Sequence, residues 1–138
     1  MNIKTEFLKI MAEQTEIALA TSVNNVPNVR IVNYYFDSNE NILYFSSFKG
    51  NDKIKEIESN PYVAFTTIPH SGNEHVKGKG TVKQSSKTIF DVADHFITKI
   101  PDYKNTIEFA GKSLILFELK FDTAIVTIDI HTIKTIKL

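Results

Sequence analysis

The chain has 138 residues, of which 42% are hydrophobic and 23% are charged, and its formal net charge at pH 7 is zero. These ordinary globular values predict one domain, residues 1–138, with room for a hydrophobic core. Without net charge or cysteine, we expect no nucleic-acid or membrane partner, no disulfide and no cysteine nucleophile. No stretch approaches the roughly 18 apolar residues of a membrane span, and no signal-peptide core is found, so we expect a cytoplasmic protein.

The first elements in chain order are a helix and a β-hairpin. Residues 2–14 carry apolar side chains at helical spacing, which predicts an amphipathic helix. Asn24 and Asn25 tolerate positive φ, so they predict a turn between strands at 16–23 and 26–36.

The strand at 26–36 is apolar on both faces. Val29 and Ile31 lie on one face, and Val32 and Tyr34 lie on the other. A strand covered on both sides suits a barrel with something packed outside it. The outer cover could be a helix, a second copy of the protein or a flat ligand.

A strand–helix unit comes next, and a polar turn at 37–41 is expected to join its strand to the strand at 26–36 as a hairpin. Residues 42–48 suit a strand, whose end carries two serines. Asn51 or Asp52 suits the N-cap of a helix at 51–59. The helix ends before Pro61, because proline disfavours the helical state in the residue that precedes it.

The second half of the chain adds strands and a pair of helices. Strands are predicted at 62–68, 74–83, 113–130 and 131–138, and helices at 86–97 and 101–110. Gly78 and Gly80 predict strong curvature or a close backbone approach in one strand. Antiparallel connections dominate and no regular β–α–β alternation is present, so the predicted fold is mainly β, an antiparallel barrel with a few flanking helices.

Several classes of active site lack their residues. Histidines occur at four positions without metal-ligand spacing, namely His70, His75, His95 and His131, so no metal site is expected. Ser46 and Ser47 lie in no nucleophile elbow, which would need flanking glycines. No pair of carboxylates can be placed on a shared face, so glycoside hydrolysis is not supported.

The remaining candidates are cationic and hydroxyl side chains. Arg30 is the only arginine, Ser46 and Ser47 end the next strand, and Lys53 lies in the first turn of the following helix. A helix N-terminus presents unpaired N–H groups and partial positive charge, so these groups suit a phosphate on a ligand with an apolar body. Other interpretations are an arginine paired with a surface carboxylate, serines that only complete a strand end, and a solvated lysine.

Residues 4–130 resemble the pyridoxamine 5′-phosphate oxidase-like flavoproteins of the FMN-binding split-barrel superfamily. The most specific part is the strand, serines, lysine, helix, Asn-Pro and strand of ILYFSSFKGNDKIKEIESNPYVAFTTI. Weaker matches are ALATSVNNVPNVRIVNYYF, VKGKGTV and FELKFDTAIV. The resemblance implies an antiparallel split β-barrel that forms a homodimer, with FMN bound at the dimer interface.

The resemblance also implies cofactor-binding positions on two strands, a helix start and a later strand. They are Arg30, Ile31, Val32, Asn33, Ser46, Ser47, Lys53 and His75. In the family pattern, Lys53 matches the lysine that contacts the phosphate, and His75 matches a polar position near the flavin ring. A structural or exposed role is the other interpretation of His75.

As a function, the resemblance implies a flavin-dependent oxidoreductase of unknown small-molecule substrate, in which FMN carries the redox chemistry. Asp52 stands where members that oxidise pyridoxamine phosphate carry arginine, and the chain has no tryptophan for their C-terminal substrate pattern. We therefore expect no true pyridoxamine 5′-phosphate oxidase activity. The alternatives are a non-catalytic binder of flavin, haem or another planar anion in a stress or storage role, and an interaction domain without a ligand.

Overall fold

The computed structural model describes residues 1–138 as nine β-strands with four α-helices. The strands are β1 (Glu16–Val23), β2 (Val26–Asn33), β3 (Tyr35–Asp37), β4 (Ile42–Phe48), β5 (Tyr62–Thr67), β6 (His75–Gln84), β7 (Leu114–Lys120), β8 (Thr123–Asp129) and β9 (Thr132–Lys137). The helices are α1 (Ile3–Glu13), α2 (Asp52–Ser59), α3 (Ala93–Lys99) and α4 (Tyr103–Ala110), the last followed by a 3-10 turn at Gly111–Ser113. No helix combines the length and the apolar character needed to cross a bilayer.

The strands form one antiparallel sheet in the order β2-β1-β5-β6-β7-β4-β3, with β8 paired to β6 and β9 paired to β8. The end strands β2 and β3 do not pair with each other, so the barrel stays open between them. The expectation of a mainly antiparallel split β-barrel with a few flanking helices is confirmed.

β6 is the strand on which the sheet divides. Its middle pairs with β5, its first residues with β8 and its last residues with β7. A side chain at Gly80 would collide with the backbone carbonyl of Lys120, the last residue of β7. The close backbone approach predicted for this glycine is therefore present, and it lies between the part of β6 that pairs with β8 and the part that pairs with β7.

The predicted strand at 26–36 is interrupted at Tyr34, so its expected hairpin with 42–48 is only partly correct. Tyr34 is fully buried, and its N–H and hydroxyl donate to the carbonyls of Thr15 and Met11 at 3.1 and 3.0 Å. These bonds turn the chain toward α1. As a result β2 pairs with β1, and only the short β3 pairs with β4.

The helix predicted at 86–97 begins only at Ala93. Before it, the Ser85 hydroxyl accepts the Lys87 N–H at 3.0 Å, and the Asp91 carboxylate accepts the Thr88 N–H at 2.8 Å. Such side-chain bonds stabilise turns in competition with the helix. The strand predicted at 113–130 is likewise two strands, separated by the bend where β7 gives way to β8.

Two buried clusters lie on opposite faces of β4 and position its end. Leu43 and Phe45 face the barrel core, whereas Ile42 and Tyr44 face a smaller core beneath α3 and α4. This alternation is the two-residue period of a strand. It carries on into Ser46 and Ser47, so the two serines point toward different parts of the protein.

Candidate functional site

A cavity of about 270 Å³ lies where the ends of β2 and β4 meet the starts of α2 and α4. Its walls are Glu16, Ile31, Val32, Asn33, Ser46, Ser47, Phe48, Asn51, Lys53, Tyr103, Thr106 and Leu114. Six of the eight positions expected from the sequence lie in this set. Arg30 and His75 do not.

Ser46 and Ser47 have different environments. The Ser46 Oγ lies 2.6 Å from the Tyr103 hydroxyl, so it is hydrogen bonded inside the protein. Ser47 is 4% exposed, and its buried Oγ has no hydrogen-bond partner. Buried polar atoms in native proteins nearly always have a partner, so an unpaired hydroxyl in a cavity wall indicates a place for a ligand atom or water.

Lys53 contributes a buried cation to the same cavity. Lys53 is 7% exposed and its side chain makes no ion pair. Its Nζ lies 5.9 Å from the centroid of the Phe45 ring. Burial, with the nearby charge of Arg30 as a second cause, lowers the pKa of Lys53 to about 8. An anion in the cavity would provide the missing counter-charge and favour the ammonium form.

The start of α2 is capped from inside the cavity wall. The Asn51 side chain accepts the Lys53 N–H at 2.9 Å, which leaves the exposed Asp52 outside the cavity wall. Asp52, which stands where members that oxidise pyridoxamine phosphate carry arginine, therefore adds no negative charge to the cavity wall. The positive end of the helix and the Lys53 ammonium both favour an anion here.

Arg30 is engaged elsewhere. Its guanidinium donates to the Glu56 carboxylate and to the Thr21 hydroxyl, each at 2.7 Å. Glu56 also accepts from Thr21 and Asn28, and these hydrogen bonds, together with the Arg30 charge, lower the pKa of Glu56. The geometry matches the interpretation in which this arginine pairs with a carboxylate, and it keeps the guanidinium out of the cavity wall.

His75 starts β6, opposite Thr127 of β8, and its Nδ1 lies 2.7 Å from the Asn73 carbonyl. The structure therefore does not bring it to the cavity of its own chain. The described residues also hold no cluster of histidine and acidic side chains that could bind a metal ion.

Sequence reasoning missed the contribution of α4. Tyr103 and Thr106 close one side of the cavity, although they lie more than fifty positions after the serines. Burial raises the pKa of Tyr103, so its hydroxyl stays neutral. The only local signal was the amphipathic spacing of that helix, which predicts burial and not a place in a site.

The chain matches the family model described as "Pyridoxamine 5'-phosphate oxidase-like" over residues 10–132. The chain belongs to this family. Comparison with curated proteins found no match. Among solved structures, the family fold recurs in General Stress Protein 26 from Bacillus anthracis str. Sterne, with a TM-score of 0.76, 17% identity and 100% of each chain covered.

Two further solved structures with this fold are of proteins named for the ligand that they bind. A haem-binding protein from Mycobacterium smegmatis has a TM-score of 0.76 and 11% identity, over 96% of this chain and 56% of that one. A FAD-binding protein from Mesorhizobium loti has a TM-score of 0.68 and 18% identity, over 87% of this chain and 90% of that one. At such low identity these likenesses establish the fold, and the binding properties belong to those proteins.

Proposed function

We propose that this member of the pyridoxamine 5′-phosphate oxidase-like family binds FMN in the cavity and acts as a flavin-dependent oxidoreductase on a small molecule. The observation that carries the proposal is the presence of two unsatisfied groups in one cavity wall. The Lys53 ammonium forms no ion pair, and the buried Ser47 hydroxyl has no hydrogen-bond partner. Oxygens of one phosphate would satisfy both, and such charge-assisted bonds are strong.

The residues present fit the two ends of FMN. Lys53, Ser47 and the first turn of α2 would hold the phosphate, and Ile31, on the exposed face of β2, would lie along the flat apolar ring. When bound, FMN supplies hydride or electron transfer. The chain's own residues bind the cofactor, orient it and exclude water, which accords with the absence of a recognisable acid–base set.

We also propose that a second copy of the chain completes the site. A cavity of about 270 Å³ is small for a whole flavin nucleotide, since ligand pockets are roughly 300–1,000 Å³. Ile31 is 59% exposed at the cavity rim, and Val29, on the same face of β2, is 64% exposed. A homodimer that buries this apolar face would place cofactor and interface side by side, as the family resemblance implies.

A titration that compares FMN with riboflavin tests the proposal, because riboflavin has the ring without the phosphate. We expect the purified protein to bind FMN about ten- to a hundredfold more tightly than riboflavin, because a charge-assisted hydrogen bond contributes roughly 1.5–3 kcal/mol. Equal affinity for the two flavins would reject the phosphate site. Protein that takes up neither flavin would reject flavin binding altogether.

A non-catalytic binder of flavin, haem or another planar anion, in a stress or storage role, is the second candidate. It is favoured by the fold shared with a protein described as haem-binding. No histidine lines this cavity, which favours flavin over haem at this position. Bound FMN that no nicotinamide cofactor or chemical reductant can turn over would support the binder. Reduction followed by reoxidation by an added acceptor would support the enzyme.

A further inference from the structure

A second cavity, of about 330 Å³, lies between the end of α1, β3 and α3. Met11 and Ala12 form its α1 wall, Tyr35 its β3 wall, and His95 and Lys99 part of its α3 wall. It shares no lining residue with the candidate cofactor site. It is large enough for a ring-sized organic molecule by the usual range of ligand pockets, roughly 300–1,000 Å³.

The amine of Lys99 is held at the Met11 side of this cavity. Its Nζ donates to the Met11 carbonyl at 3.0 Å and lies 3.4 Å from the centroid of the buried Tyr34 ring. It makes no ion pair, and no aspartate or glutamate lines the cavity. Burial lowers the pKa of Lys99 to about 7, so a large share of the amine is neutral at neutral pH. A neutral, desolvated lysine is a nucleophile toward carbonyl groups.

His95 lies one helical turn before Lys99, so both side chains project from the same face of α3. The imidazole stacks on the Tyr35 ring, with centroids 4.6 Å apart and planes within 4°. This stacking fixes an imidazole beside the cavity, where it is suited to carry protons to and from a reacting carbonyl. The aromatic wall also suits a flat apolar ligand.

From this geometry we propose that the cavity binds a small aldehyde, preferably an aromatic one, and that Lys99 forms a reversible imine with it. The lone pair of the neutral amine attacks the carbonyl carbon, and a carbon–nitrogen bond forms. The carbonyl oxygen then leaves as water with the two amine hydrogens, which His95 helps to transfer, and a carbon–nitrogen double bond remains. No oxidant or reductant takes part, and the proposal is independent of the flavin function.

Trapping with benzaldehyde and sodium cyanoborohydride at pH 7, followed by peptide mapping, tests the proposal. We expect Lys99 to be labelled about tenfold or more faster than Lys104, an exposed lysine of α4 that lines no part of this cavity. Equal or slower labelling of Lys99 would overturn the proposal. The role of the amine would then be structural, as the hydrogen-bond donor that links α3 to α1.

Three variants sharpen the result. Lys99→Met should abolish the fast labelling, and Lys104→Met, the matched control, should leave it unchanged. Ala12→Leu narrows the cavity without removing the amine, so it should slow the labelling of Lys99 several-fold. If Lys99→Met does not fold, the last variant still decides: unchanged labelling in Ala12→Leu would show that the cavity is not the route to the amine.

Discussion

Arg30 and Glu56 form an ion pair in which Nη2 and Oε1 are 2.7 Å apart, and this pair joins β2 to α2. Both side chains are about four-fifths buried, and Thr21 bridges them by donating to Glu56 and accepting from Arg30. The pair thus fastens the helix that carries Lys53 to the strand that carries Ile31. Its role in the described geometry is to hold two walls of the cavity together.

Replacing Arg30 should therefore affect stability more than ligand binding. Arg30→Met leaves the partly buried Glu56 carboxylate without its cation, and we expect a loss of about 1–3 kcal/mol in the free energy of unfolding. The factor by which FMN affinity falls in Arg30→Met should be at least ten times smaller than the factor in Lys53→Met. Urea unfolding and flavin titration of both variants check this. An equal loss of affinity in the two variants would mean that the guanidinium turns to the ligand, as the family resemblance implies.

Lys53→Met should lower FMN affinity and raise the stability of the ligand-free protein. The ammonium is buried and forms no ion pair, so its removal relieves a desolvation cost in the free protein and removes a phosphate contact in the complex. We expect affinity to fall about ten- to a hundredfold for FMN and to stay unchanged for riboflavin. The exposed Lys55 in the same helix provides the control Lys55→Met. A Lys53→Met variant that loses stability and keeps FMN affinity would contradict both assignments.

FMN affinity should fall as pH rises above about 8. The pKa of Lys53 is about 8 in the free protein, and a bound phosphate raises it because opposite charge favours the ammonium. Between these two pKa values, binding takes up a proton, so affinity falls by up to about tenfold per pH unit. Well below pH 8 the lysine is protonated in both states and contributes no pH dependence.

Titrations at a series of pH values from about 7 to about 9.5 measure this dependence. Riboflavin controls for ionisation of the flavin ring, and Lys53→Met should lose the slope above pH 8. The same shift also affects the free protein. Because the unfolded chain holds its lysine protons to higher pH, the free energy of unfolding should rise through this range, with Lys99 acting in the same direction.

The two serines should respond differently to truncation. Ser47→Ala removes a hydroxyl that has no partner, so the free protein should be as stable as before or slightly more stable, whereas FMN affinity should fall. Ser46→Ala leaves the buried Tyr103 hydroxyl unpaired and should cost about 1–2 kcal/mol of stability. Thermal unfolding and FMN titration of the pair separate the two roles. The reverse pattern would exchange the assignments.

The strand–helix unit was predictable because its signals are local. A strand pattern, an Asn51 cap and the Pro61 stop all act within a few residues, and α2 was found close to its predicted position. The contacts of the Arg30 side chain were not predictable. Its partners Thr21 and Glu56 belong to elements whose packing depends on the whole sheet. The site wall from α4 was missed for the same reason.

The interruption at Tyr34 shows how tertiary bonds override strand propensity. The residues on both sides favour β-strands, but the buried hydrogen bonds of Tyr34 to Thr15 and Met11 interrupt the strand. No spacing in the sequence marks this position. The unequal environments of Ser46 and Ser47, in contrast, follow from the period of a strand once β4 is placed.

β6 pairs with three strands, and two of them, β7 and β8, follow it in the chain. Synthesis from the N-terminus delivers β6 before β7 and β8, the strands that cover its second edge. Until β8 is synthesised, the backbone N–H and C=O groups of His75–Gly78 are unpaired on the edge that β8 covers in the folded protein. Such an edge can pair with another chain. Completion of the barrel thus depends on distant contacts that form late, which slows folding and makes a nascent chain halted before β8 prone to aggregate.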